Sequence, residues 1–156
     1  MLPRQDDGAV VDLTAVQPPG PPALVGAQPH VTLVDHSLHG PAQARSAVAA
    51  CAARLGLDAD ADDLLLVVSE LVTNAVRHGA PPVRLEVSVD DDVVLVCVAD
   101  GSPRPPEPRT ADEDAEGGRG MTLVELLASA HGVQALPPGK TVWASLPRHP
   151  HAEGTP

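Results

Sequence analysis

Glu70-Leu71-Val72-Thr73-Asn74 sets a carboxylate and a carboxamide four residues apart. On a helix that spacing puts both on one face. The pair suits a hydrated magnesium ion, because the Asn74 oxygen ligates without adding negative charge beside a phosphate. Glu70 can accept a proton from a hydroxyl or a water. A solvated polar face on an amphipathic helix gives the same pattern, and for E-x-x-x-N alone it is the commoner explanation. Asp100-Gly101-Ser102 directly follows the most apolar stretch of the chain. A carboxylate at a strand end can take a hydrogen bond from an exocyclic amine such as that of adenine, and Gly101 lets backbone approach a base. A plain Asp-Gly turn accounts for it equally. Gly117-Gly118-Arg119-Gly120 precedes a helical stretch, and exposed N–H groups at a helix start bind phosphate. Arg119 adds a positive charge there. Thr141, after Gly139-Lys140, can set a hydroxyl beneath a purine or simply be a β-branched strand residue of a hairpin.

These residues need elements to position them. Val31, Leu33 and His36 suggest a first strand, and Gly40-Pro41 opens a helix over Ala42–Leu55 that Gly56 stops. Asp60 is a candidate cap for the next helix, with Asp62 and Asp63 at its positive end. Its apolar stripe is Leu64, Val67, Val68, Leu71, Val72 and Ala75, and it runs to about His78. Val83, Leu85, Val87 and Val89 alternate with Arg84, Glu86 and Ser88, as in a half-buried strand. Asp90-Asp91-Asp92 makes a turn into Val93–Ala99, a nearly continuous apolar run that predicts a central strand. Residues 100–118 form a long Pro-, Gly- and acid-rich loop. Gly120–Ala130 predicts a helix stopped by Gly132. Val133–Leu136 and Thr141–Leu146 then flank the hairpin turn Pro137-Pro138-Gly139-Lys140. Hairpin strands are antiparallel, so the expected fold is a two-layer α/β sandwich, its sheet mixed but mostly antiparallel and its helices on one face.

Composition narrows the function. The chain has 156 residues and a formal net charge of −11, which argues against an electrostatic grip on nucleic acid or an anionic membrane. Trp143 is the sole aromatic residue, so stacking platforms for single strands are absent. No apolar run approaches the ~20 residues of a membrane helix, and the first residues lack a basic-then-apolar pattern, so no signal peptide is expected there. Cys51 and Cys97 sit in apolar patterns and are expected as buried thiols of a cytoplasmic protein. The Pro-rich residues 1–29 and the end 148–156 are expected as loose tails around a domain at 30–147. The chain lacks G-x-x-x-x-G-K-[ST] and a G-x-G-x-x-G after its first strand.

In their order along the chain, Glu70…Asn74, Asp100, Gly118-Arg119-Gly120 and Thr141 resemble the motifs of the GHKL (histidine-kinase-like, Bergerat-fold) ATPases. More narrowly, the chain is similar to the bacterial anti-sigma factor serine/threonine kinases. The resemblance covers about 30–147 and implies ATP and Mg²⁺ as cofactors. It implies that Asn74 ligates the metal and that Glu70 is the general base. It implies that Asp100, beside Gly101, takes the adenine amine, that Gly118, Arg119 and Gly120 line the phosphates, and that Thr141 supports the adenine contact. One departure is visible: the family's D-x-G-x-G is shortened here to Asp100-Gly101-Ser102-Pro103. The implied partners are a sigma factor and an anti-sigma antagonist, with dimerisation suggested by the family alone. A catalytically silent ATP-binding module and a stand-alone ATP hydrolase remain open alternatives.

Overall fold

The computed structural model describes residues 20–104 and 118–149. In chain order the elements are β1 (His30–Val34), α1 (Gly40–Ala52), α2 (Ala61–His78), β2 (Val83–Val89), β3 (Val93–Asp100), α3 (Gly118–Leu127), β4 (Ala130–Leu136) and β5 (Gly139–Pro147). The strands form one sheet in the order β1-β2-β3-β5-β4. All four pairings are antiparallel. The helices lie on one face, α1 against β1, α2 across β2, β3 and β5, and α3 against β4. This is the two-layer sandwich that the hairpin pattern predicts.

The core follows from two periodicities meeting. Every second residue of a strand points the same way, and a helix brings its third and fourth neighbours to one face. Val83, Leu85 and Val87 of β2 and Val94, Val96 and Val98 of β3 therefore meet Leu64, Val67, Val68, Leu71 and Val72 of α2, all buried. Each such side chain contributes about 1.5–3 kcal/mol when it leaves water. With no Phe or Tyr in the chain, branched aliphatics fill the interlayer space.

Several local expectations differ from the structure. Asp60 does sit at the N-cap of α2, but its carboxylate makes no capping bond. It turns to His149 instead, whose backbone N–H donates at 3.0 Å and whose Nδ1 lies 2.6 Å away. Arg148 is also tied down, donating to the Asp90 carbonyl at 2.8 Å and the Gly56 carbonyl at 3.3 Å. The first two residues of the expected C-terminal tail thus join the fold, while 150–156 lie outside the described residues. Gly132 does not stop a helix; it lies within β4 opposite Trp143. A Cβ there would come within 3.0 Å of the indole ring, so the glycine makes room for the chain's one aromatic side chain.

At the other end, residues 20–29 lie along the sheet face that the helices leave open. Pro21, Pro22 and Leu24 line shallow hollows there with Glu86, Ser88, Leu95 and Cys97. Residues 1–19 and the stretch 105–117, most of the expected long loop, lie outside the described residues.

Candidate functional site

Asp100 ends β3 on the helix-facing side of the sheet, and four groups converge on it. The Ser102 N–H donates to Oδ1 at 2.8 Å and the Ala80 N–H at 3.4 Å. Lys140 Nζ lies 3.2 Å from Oδ1 and 3.1 Å from Oδ2. Gly79 fits against the carboxyl so closely that a Cβ there would lie 2.5 Å from Cγ. The Asp100 side chain is 2% exposed and that of Lys140 8%. Breaking such a buried pair from one side costs about 3–5 kcal/mol, because it strands the other charge.

The same contacts fix the distance to α2. Gly79 and Ala80 follow the last residue of that helix, and the Gly101 N–H donates back to the Ala80 carbonyl at 2.7 Å. The end of α2 is thereby stitched to the end of β3. At a rise of 1.5 Å per residue, Asn74 sits about 7.5 Å along the axis from Gly79, and Glu70 one turn further. Both are partly buried. Which way they face follows from the helical step of ~100° per residue. Ser69 accepts a hydrogen bond from Arg45 of α1 at 3.2 Å, which marks the α1 flank. Glu70 and Asn74 fall across the buried stripe from Ser69, on the flank towards α3.

Residues Gly118, Arg119 and Gly120 form the first turn of α3 rather than a loop before it. The helix starts two residues earlier than its apolar pattern indicates. Its far end is anchored where Ser129 donates from N–H to the Ser145 carbonyl at 2.8 Å.

Thr141 is not brought to this group. In the β3–β5 register Lys140 pairs with Asp100, and Thr141 pairs with Ala99. Strand alternation sends Thr141 to the opposite face, where it lines a hollow with Arg84, Glu86, Cys97, Ala99 and Gln134. The residue beside Asp100 is Lys140, which lies in β5 and not in the hairpin turn expected from the sequence. The turn is shorter than expected, because Gly139 already pairs with Leu136. The signal that could have found Lys140 is its place directly before the Thr141–Leu146 run, in phase with Val142 and Ala144. Gly101 also has a different reason for lacking a side chain: a Cβ would meet the Pro81 carbonyl at 2.5 Å.

The site thus offers an acceptor–donor pair at the sheet end, a carboxylate and a carboxamide on one helix flank, and backbone N–H groups at the start of the next helix. That donor set fits a purine nucleotide with a metal ion held mainly by phosphate and water. Among the described residues no three His, Cys, Asp or Glu side chains cluster as a protein-only metal cage, and Mg²⁺ on phosphates needs none.

Residues 38–146 match the histidine kinase-like ATPase domain, and the chain belongs to that family. Among solved structures it is similar to the RsbU and RsbW domains of Rv1364c from Mycobacterium tuberculosis, with 22% identity and a TM-score of 0.59. The match covers 78% of this chain and 32% of that one, so the chain spans about a third of that length, and the likeness is one of fold. No match is found among curated proteins. Among the described residues no helix is long and apolar enough to cross a membrane.

Proposed function

We propose that the chain binds Mg·ATP between α2 and α3 and acts as an anti-sigma-factor-type serine/threonine kinase. Its target would be an antagonist protein, and it would also bind a sigma factor. The observation that carries this reading is the stitching of Asp100 to the end of α2, one to three turns from Asn74 and Glu70. In it, Asp100 takes the exocyclic amine of adenine, and the first turn of α3, with Arg119, takes phosphate oxygens. The Asn74 oxygen holds magnesium, which supplies positive charge against the phosphates. Glu70 accepts the proton of the attacking hydroxyl. Phosphoryl transfer needs chiefly this positioning and charge neutralisation.

Calorimetric titration with ATP and Mg²⁺ tests the site. Asn74→Ala should weaken Mg·ATP binding at least tenfold, and unchanged affinity would refute the metal role. Incubation with labelled ATP and a candidate antagonist protein tests the activity. Transfer to serine or threonine that disappears in Glu70→Ala supports the kinase, whereas tight binding without transfer leaves a regulatory module.

A homodimer is part of the same proposal. Edge strand β1 exposes Val31 at 45% and Leu33 at 70%, and a second copy would cover them. Light scattering on Leu33→Lys should show the monomer if this surface pairs.

A further inference from the structure

The ammonium of Lys140 lies beside the carboxylate assigned to the base, and its geometry says what more it can do. A carboxylate offers about four lone-pair positions. Oδ1 of Asp100 is saturated by Ser102, Ala80 and Lys140, whereas the polar partner of Oδ2 among the described residues is Lys140, with the Gly79 backbone packed against one side of that oxygen. One acceptor position on Oδ2 is left. Lys140 carries three N–H groups, and holding the two carboxylate oxygens uses at most two of them. The pair therefore presents an acceptor and a donor side by side, 3.1 Å apart. Both project from adjacent paired strand residues on the helix-facing side.

We infer, on the footing that the cleft binds ATP, that Lys140 is a second base-reading residue. Oδ2 of Asp100 accepts from the exocyclic amine while Lys140 Nζ donates to the neighbouring ring nitrogen, N1 of adenine. A single carboxylate reads only the amine; the pair reads the whole amine–ring nitrogen edge. The donor is charged and shielded from water, so deleting its partner atom removes a strong hydrogen bond.

The test compares ATP with two analogues by calorimetry on the intact protein. In 1-deaza-ATP the N1 atom is replaced by C–H; purine riboside triphosphate lacks the amine. The wild-type chain should bind 1-deaza-ATP about tenfold more weakly than ATP. Lys140→Met should bind ATP about tenfold more weakly and no longer distinguish it from 1-deaza-ATP, while still discriminating against purine riboside triphosphate. Equal wild-type affinity for ATP and 1-deaza-ATP overturns the role of Lys140 and leaves the nucleotide site standing. Tighter ATP binding by Lys140→Met also overturns it, since Lys140 would then compete with the base for Asp100. Failure of the wild-type chain to bind ATP at all overturns the nucleotide reading itself. The wild-type comparison needs no variant, so equal affinity for ATP and 1-deaza-ATP overturns the role of Lys140 even if Lys140→Met misfolds. Lys140→Arg, which keeps a charged donor, should retain the discrimination that Lys140→Met loses.

Discussion

Cys97 shows how much of a residue's chemistry its surroundings set. Burial, and then the nearby negative charge of Glu86, push its thiol from 9.0 up to about 11. The thiolate is the nucleophile, so iodoacetamide should modify Cys97 slowly at pH 8–9 and faster only as pH approaches 11. Mass spectrometry of the two cysteine peptides measures this. The linkage has a definite sign. The folded state holds this proton more tightly, so the contribution is fully present below pH 9 and is lost as pH rises towards about 11. Cys97→Ser should remove that alkaline loss from a urea-denaturation series. The apolar run around Cys97 predicts a buried thiol, but in the structure Cys97 is half-buried on the sheet face away from the helices, and Cys51 is the buried one. The place of Lys140 was not legible either, because a lysine after Pro-Pro-Gly carries every local mark of a turn. Its role comes from a partner 40 positions away.

At the scale of elements, the long periodic segments read correctly and their ends did not. The stripe of α2 and the alternation of β2 are repeated signals, each residue supporting the next. An end depends on one or two residues, and a tertiary contact can reassign those. Gly132 is the example: local rules make it a helix stop, but the indole of Trp143 requires it in mid-strand. Gly132→Ala should cost about 1–2 kcal/mol by urea denaturation, as overpacking does. Asp60 is the second example. It stands at the start of α2, yet it serves the chain end through His149. His149→Ala should cost only about 0.5–1 kcal/mol, since that side chain is 60% exposed and solvent screens the pair. Asp60→Ala loses the backbone contact as well and should cost about 1–3 kcal/mol.

Over the whole molecule, the sheet has one face under helices, and on the other residues 20–29 lie against Glu86, Ser88, Leu95 and Cys97. Deleting residues 1–29 should therefore uncover Ser88, Leu95 and Cys97, lower stability by about 2 kcal/mol, and speed alkylation of Cys97. An unchanged rate would show that this segment does not shield the thiol. The sequence by itself determined the layer architecture, the apolar face of each long element, and the presence of Glu70 and Asn74 on one side of a helix. Those properties repeat with the period of the backbone and need no knowledge of distant neighbours. Only the tertiary structure decided that Lys140, not Thr141, stands beside Asp100. A strand's two faces differ by a single residue of register, and register is settled by which neighbouring strand it pairs with.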